Sequence, residues 1–370
     1  MKNITAIRHT ATWLLFSIFH FPFSIAVAQS LPDTTKKPAD RFKVFVLPTI
    51  EVAPEIGFGF GAVSQFAFRL NRDTSVRYST AKAELTFTTN RQFIAETEWL
   101  LNLRGGRLLL SGHNQFLRFP ELYWGIGPRT VTTEGERYQA NRVELFNELV
   151  YRPGRRFYIG GHQRLQHLFN FEPQQGGLFD TLPTPGTQGG VTSGVGFSAL
   201  FDTRDRLLNP SPRTYLALAR LTRFAPWVGS RYTYSQLETD LRYYLPLTRK
   251  TWLALQTYTL WQDGQAPFRM LALMGSDVHM RGYYQGRYRG RSYSTAQMEL
   301  RYPIWRWLRG VAFASIGSVS STPFNIHVPR TAAGIGLRIL IDKQDQTYLR
   351  FDYAAGPGTS GFYFSFGEAF

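Results

Sequence analysis

Polar and apolar side chains alternate with a period of two in segment after segment of this sequence. In residues 293–303, for example, Glu299 falls on one face of an extended chain and Met298 falls on the other. This period is typical of a two-sided β-sheet. Small and charged side chains share one face and bulky apolar ones the other, which suits a sheet between a wet lumen and lipid. Because a closed barrel leaves no unpaired edge in lipid, we predict an all-β fold: a transmembrane antiparallel β-barrel of the outer-membrane type.

The composition also favours a barrel over a soluble domain or a helical membrane protein. Aromatic residues make up 15% of the 370 residues and charged residues only 18%, whereas soluble domains hold about 25% charged residues. The mean hydropathy of −0.23 is too low for a bundle of membrane helices. There is no cysteine, which excludes disulfides, cysteine-ligated metals and thiol catalysis.

The formal net charge of +16 allows three interpretations. These are nucleic-acid binding, a basic barrel lumen and contact with anionic lipid head groups. The arginines are scattered at strand spacing rather than clustered in one run, so we favour the last two and predict no nucleic-acid partner.

The alternating segments number about sixteen, an even number as bacterial single-chain barrels require. With the N-terminus in the periplasm, the long connections 118–137, 169–190 and 263–292 all fall outside the cell, while 70–77 and 203–211 are the longer turns on the periplasmic side. The predicted strands lie near 42–50, 57–69, 78–88, 92–102, 106–117, 138–152, 155–168, 191–202, 212–222, 231–244, 250–262, 293–303, 308–319, 330–341, 346–355 and 361–369.

The N-terminal region has the pattern of a secretory signal peptide. Lys2 and Arg8 precede an apolar stretch at 11–27, and Ala-Val-Ala at 26–28 is a small-x-small cleavage site. The predicted organisation is a signal peptide (1–28), a short periplasmic lead (29–41) and a transmembrane β-barrel (42–370) in the bacterial outer membrane.

Two motifs point to a family. One runs Asp202, Thr203, Arg204 and Asp205 in a predicted periplasmic turn, with Asn-Pro following at 209–210. The other runs Met280, Arg281, Gly282, Tyr283 and Tyr284 in the longest outer loop. With Pro-Glu-x-Gly at 54–57 and Gly-Glu-Ala-Phe at 367–370, they resemble the BamA/TamA superfamily, the bacterial surface antigen family of outer-membrane barrels. The resemblance covers essentially all of 42–370.

The resemblance implies that this outer loop folds back into the lumen, with Arg281, Gly282 and Tyr283 at its tip. Arg281 then packs against the inner wall, and Glu299 is its predicted partner, because it lies on the polar face of the next strand. Gly282 permits a tight turn beside the arginine. The alternative is an exposed loop arginine without a partner.

Three departures from the family pattern stand out. Ser315 occupies the place where many members carry a second acidic partner, and Arg213 stands where a glycine is usual. No stretch before the barrel is long enough for POTRA domains, which leaves open a separate periplasmic partner.

The last predicted strand carries alternating aromatic residues that lead through Phe366 to Phe370. Such an ending is what barrel-assembly machinery recognises in its clients, so that machinery is a predicted partner. The alternative is that these aromatic residues simply face lipid.

We find no pattern that predicts catalysis, a metal site or a cofactor. His162 and His167 point to opposite faces of one strand, and no Gly-x-Ser-x-Gly sequence occurs. The other histidines considered are isolated, namely His113, His279 and His327. Paired acids on lumen faces are interpreted as solvated or arginine-paired charges: Glu96 with Glu98, and Glu238 with Asp240.

We therefore predict a monomeric outer-membrane barrel that is not an enzyme and contacts outer-membrane lipids and lipopolysaccharide. The resemblance implies a role in inserting or translocating outer-membrane proteins or lipids, with a lumen-docked loop and a seam between the first and last strands. A passive arginine-lined pore is the alternative, and an outer-membrane hydrolase is a third hypothesis.

Overall fold

A computed structural model describes residues 42–53, 55, 57–70, 79–130, 134–206, 209–322, 328–342 and 346–370. The predicted signal peptide (1–28) and periplasmic lead (29–41) lie outside these residues.

Strands account for most of the described chain. They are β1 (Phe42–Ala53), β2 (Gly57–Phe68), β3 (Ser79–Thr88), β4 (Phe93–Leu103), β5 (Leu108–Tyr123), β6 (Glu136–Tyr151), β7 (Phe157–Pro173), β8 (Gly190–Asp202), β9 (Tyr215–Phe224), β10 (Tyr234–Pro246), β11 (Trp252–Gly264), β12 (Ala272–Leu273), β13 (Arg289–Gly290), β14 (Ser292–Pro303), β15 (Leu308–Ser320), β16 (Arg330–Asp342), β17 (Thr347–Gly356) and β18 (Thr359–Phe366).

Sixteen of these strands form one antiparallel sheet in chain order, and the short β12 and β13 pair with each other in a separate sheet. The prediction of a sixteen-stranded all-β fold is therefore confirmed. The helical segments described are short: α1 (Leu178–Thr181) and 3-10 turns at Arg104–Gly106 and Pro226–Val228. Within the described part of the chain, no helix has the length and apolar character to cross a membrane.

The sheet is inside-out relative to a soluble protein. Apolar side chains cover its outer surface, and Phe197 and Ile335 are 77% and 67% exposed. Six arginines are almost completely buried instead, a position that charged residues occupy in soluble proteins only when paired. They are Arg142, Arg281, Arg289, Arg301, Arg338 and Arg350. This distribution fits a barrel with lipid outside and charge inside.

β5, β6 and β7 extend further into the outer loops than predicted, so the predicted loops 118–137 and 169–190 are too long. β5 continues to Tyr123 and pairs there with Glu136 at the start of β6, and β7 continues to Pro173. Pro120 lacks an N–H and argues against a strand interior, which hid this extension in the sequence.

The last strand is shorter than predicted, because β18 ends at Phe366. Gly367 turns the chain with a φ of +80°, and Phe370 is buried in the lumen against Tyr244 and Trp252. The backbone oxygen of Phe370 accepts a hydrogen bond from Arg301 at 2.9 Å. The predicted strand 361–369 is therefore wrong over its final residues.

A seam separates the two edge strands of the sheet. β1 and β18 approach each other over a short stretch, yet no ladder joins them among the described residues, and the sheet is not closed. Every other pair of neighbouring strands in this sheet is joined by an antiparallel ladder. Moving β1 away from β18 would therefore break no ladder hydrogen bond among the described residues.

Candidate functional site

The connection between β11 and β14, residues 265–291, enters the lumen, and we call it the inner loop. Its middle packs into an apolar cluster with the lumen faces of β14 to β16. The cluster consists of Ala272, Met274, Met280, Tyr283, Tyr288, Tyr293, Val319 and Ala332. Burial of these side chains favours a loop that stays inside the barrel.

Arg281 lies at the tip of the inner loop and is buried against the wall. Its Nη2 donates to Glu299 Oε2 at 2.6 Å, and its Nη1 donates to a carboxylate oxygen of Asp352. The guanidinium carbon lies 3.5 Å from the ring centroid of Phe313. A planar guanidinium suits this site, because it binds two carboxylates and stacks on an aromatic ring at once.

Further charges complete the cluster around Arg281. Glu299 Oε1 accepts from Arg301 Nε at 2.8 Å, and Asp352 Oδ1 accepts from Arg338 Nη1 at 2.5 Å. Buried charges are costly unless they are paired, and the formal charges of these described members cancel. The cluster comprises Arg281, Arg301, Arg338 and Arg350 with Asp277, Glu299, Asp352 and Glu368.

The backbone next to Arg281 is also fixed to the last strands. The Gly282 N–H donates to the Tyr363 hydroxyl at 2.6 Å, and the Thr359 hydroxyl donates to the Gly282 carbonyl at 2.8 Å. The Tyr283 hydroxyl donates to the Thr331 carbonyl at 2.9 Å. The residues predicted at the loop tip therefore all contact the wall of β16 to β18.

The base of the inner loop is attached to the opposite wall. Arg269 Nη2 donates to Glu121 Oε1 at 2.8 Å, and Arg142 Nη1 donates to the same oxygen at 2.7 Å. The Tyr138 hydroxyl donates to the other carboxylate oxygen of Glu121. Since Glu121 lies on β5, the inner loop spans the lumen between two sides of the barrel.

Burial shifts the pKa values of two titratable groups in the inner loop. Burial lowers the pKa of His279 to about 4, so this imidazole is neutral at pH 7. It stacks on Tyr258 with ring centroids 4.0 Å apart. Burial also raises the pKa of Asp277, although the guanidinium of Arg350 opposes that shift.

This architecture matches that of a known protein family. The Omp85 superfamily domain matches residues 59–370. The chain belongs to the Omp85 superfamily. The resemblance to BamA/TamA-type barrels is thus confirmed, and no curated protein sequence matches the chain.

Solved Omp85-type structures share the fold at low sequence identity. BamA from Haemophilus ducreyi lacking POTRA domains 1–3 is 14% identical with a TM-score of 0.60, covering 88% of this chain and 70% of that one. CdiB from Acinetobacter baumannii is 11% identical with a TM-score of 0.56, covering 87% and 59%. CdiB from Escherichia coli is 12% identical with a TM-score of 0.59, covering 89% and 63%. This chain therefore spans less than two thirds of either CdiB chain.

The turn motif of this Omp85 barrel lies at the opposite end of the strands from the inner loop. Arg204 Nη2 donates to Asp202 Oδ2 at 2.8 Å, and Asp205 Oδ2 accepts from the Ser211 hydroxyl at 2.6 Å. The Thr203 hydroxyl donates to the Tyr215 carbonyl at 3.2 Å. These contacts are internal to the turn, so the motif is separate from the Arg281 cluster.

Sequence reasoning missed Asp352 and Phe313 as neighbours of Arg281. The alternation in 346–355 does put Asp352 on the polar face of its strand, and this was the available signal. Ser315, which stands at the expected acidic position, instead donates to the Ala332 carbonyl at 3.4 Å. The second carboxylate of the Omp85 chain thus comes from β17.

The prediction that His113 is isolated is wrong. Its Nε2 lies 3.4 Å from Glu96 Oε2 and 3.9 Å from Glu98 Oε1. The ammonium group of Lys82 is 2.9 Å from Glu96 and 3.0 Å from Glu84. These lumen side chains therefore form a mixed charge cluster with its own internal cation.

The two aromatic residues of the predicted C-terminal signal, Phe366 and Phe370, lie in different parts of the structure. Phe366 ends β18, and the position of its side chain lies outside what the structure describes. Phe370 lies in the lumen rather than on the lipid face. Recognition of this ending by assembly machinery stays a prediction.

Proposed function

We propose that this Omp85 barrel resides in the bacterial outer membrane and takes part in inserting or translocating proteins or lipids there. Membership of the superfamily and the apolar outer surface support this location. The observation that carries the proposal is an inner loop bound across the lumen beside a seam where the described residues of β1 and β18 form no ladder.

The seam suits this role for a physical reason. Unpaired strand edges template the addition of another strand, and in lipid an unsatisfied backbone group costs several kcal/mol. A client segment that pairs with β1 or β18 satisfies such groups without first breaking a ladder. Outer-membrane lipids and lipopolysaccharide surround the outer surface, and a separate periplasmic protein would deliver clients.

Reconstitution tests the proposal. The barrel in liposomes should speed the folding of an added, unfolded outer-membrane protein, measured as protease-protected client, with a periplasmic fraction supplied in parallel. Because the chain has no native cysteine, a disulfide introduced between β1 and β18 locks the seam selectively. This disulfide should abolish the acceleration of client folding, and a reductant should restore the acceleration. Client folding no faster than in empty liposomes, with and without the periplasmic fraction, contradicts the proposal.

A passive pore is the second candidate function. A lumen cavity of about 340 Å³ lies beside the inner loop, and its lining includes Arg164, Arg220 and Arg269. On this alternative, small anions cross the unmodified barrel without a client or a partner, as liposome-swelling assays would show. Neither function involves covalent chemistry, so we expect the pure barrel not to hydrolyse phospholipid.

A further inference from the structure

Glu55 lies at the tip of the hairpin between β1 and β2, on one side of the seam. Its Oε1 accepts a hydrogen bond from the backbone N–H of Gln285 in the inner loop, at 2.8 Å. Its own carbonyl accepts from Gln92 Nε2 at 2.7 Å, and that amide also donates to the Pro120 carbonyl at 3.2 Å. The hairpin tip is therefore positioned by the neighbouring strands and presents its carboxyl group to the inner loop.

A few residues earlier, the same loop is fixed on the other side of the seam. Gly282 binds Tyr363 and Thr359 of β18, and Arg281 binds Asp352 of β17. Residues 281–285 thus contact the last strands at one end and the first hairpin at the other. They cross the place where the sheet itself has no ladder.

We propose that Glu55 is a positioning residue that anchors the inner loop to the first hairpin, so that residues 281–285 hold the two edges of the seam together. This rests on the proposed function, because it assigns the inner loop control over the seam. We call the segment 281–285 with its two anchors the seam clasp.

The surroundings of Glu55 make the clasp sensitive to protons. Its carboxyl group faces a small cavity that is also lined by the acids Glu84, Glu96, Glu121 and Asp277, by Tyr284 and Tyr363, and by the cations Arg142, Arg269 and Arg289. Burial, with the charges of Asp277 and Glu121 adding, raises the pKa of Glu55 from 4.5 to about 7, while the hydrogen bond from Gln285 opposes the shift.

The sign of the pH dependence follows from this shift. A carboxyl group whose pKa is higher in the clasped state favours that state when protonated. The clasp is therefore fully stable below about pH 4.5 and weakens as the pH rises through about 7. A shift of this size changes the clasp equilibrium by roughly a hundredfold.

Hydrogen exchange at residues 283–288 of the full barrel in lipid reports the Gln285 N–H directly. Between pH 5.5 and 8.5, His279 stays neutral, and the wild-type protection factor, corrected for intrinsic exchange, should fall about tenfold or more. Glu55→Gln retains an acceptor without a charge, so its protection should stay high across this range. Glu55→Ala removes the acceptor and should show low protection throughout. Asp263→Asn, an exposed acid at the end of β11, should follow the wild type.

Two results would overturn the clasp. One is a Glu55→Gln protein that keeps the wild-type pH profile, and the other is a Glu55→Ala protein with wild-type protection. Unchanged heat-resistant migration on gels checks that each variant is folded. Protection of the N–H is independent of insertion activity. If Glu55→Gln flattens the profile but the reconstituted barrel never speeds client folding, the proposed function fails and the clasp stands.

Discussion

At the scale of the residue, Arg281 makes two of the buried ion pairs between the inner loop and the wall. Arg281→Ala removes one of the two cations that Glu299 and Asp352 share, since Arg338 also lies near both, and losing one partner of a buried pair costs up to about 3–5 kcal/mol. We expect greater protease sensitivity of the inner loop and loss of heat-resistant compact migration. The protease sensitivity of the Arg281→Lys protein should lie between those of the wild type and Arg281→Ala. Lysine keeps the positive charge, but its ammonium group lacks the planar, forked donors of a guanidinium.

Arg291→Ala is the matched control for this prediction. Arg291 ends the same loop and pairs with Asp263 at 3.3 Å, but both side chains are well exposed. Exposed pairs contribute about 0–1 kcal/mol, so this variant should behave as the wild type. Equal protease sensitivity of the Arg281→Ala and Arg291→Ala proteins would show that the Arg281 contacts do not hold the loop.

Arg213 is a residue under backbone strain. Its φ of +68° lies in the left-handed region, where side chains other than glycine cost about 1–2 kcal/mol. Its sequence position is one where a glycine is usual in the family, and the structure shows the conformation that explains why. Arg213→Gly should stabilise the barrel by up to about 1 kcal/mol, read from the midpoint of urea unfolding. Arg155→Gly, in an exposed turn without positive φ, should give no gain.

The two acidic neighbours of Arg281 differ in how far the sequence could reveal them. Glu299 follows from the period of its own strand and from its closeness to the loop in the chain. Asp352 lies across three ladders from β14, and its approach to Arg281 depends on the register of β15, β16 and β17. Register between distant strands is set by packing and turn lengths, which alternation does not encode.

At the scale of the element, the inner loop depends on Gly282. Its φ is +105°, and an added Cβ would lie 3.3 Å from the backbone of Ala354 and Ala355. We expect Gly282→Ala to displace the tip from β17 at a cost of about 1–3 kcal/mol, measured as increased hydrogen exchange at residues 281–285.

Gly358→Ala separates strain from contact in this experiment. Gly358 also has a positive φ, of +70°, but an added Cβ would meet nothing within 4 Å. The Gly358→Ala substitution should leave hydrogen exchange at residues 281–285 unchanged. If the two alanine variants behave alike, close packing of the tip against β17 is not what holds the loop.

The strands themselves were largely predictable, because each repeats its own period of two. The exceptions lie where another factor overrides the period. Pro120 interrupts the pattern within β5, and Asn170 takes a φ of +50° within β7, so both strands were predicted too short. Gly367 ends β18 early and turns the final residues inward, which an alternation of aromatic residues does not predict.

At the scale of the whole molecule, many of the positive charges lie in buried, ion-paired clusters and are not spread evenly over the surface. The buried arginines of the loop tip, β14, β16 and β17 lie together, and paired carboxylates neutralise them. A scattered set of arginines in the sequence thus becomes a connected cluster only when the sheet curls. We infer that this cluster holds the inner loop across the lumen and keeps the lumen closed.

The most direct test of this role for the Arg281 cluster is the planar-bilayer conductance of the purified barrel. The Arg281→Ala and Arg291→Ala proteins are measured beside the wild type. We expect a closed wild type, a closed Arg291→Ala protein, and frequent large openings for Arg281→Ala. A wild type that shows large, stable conductance steps, unchanged by Arg281→Ala, would contradict this role and favour a passive pore.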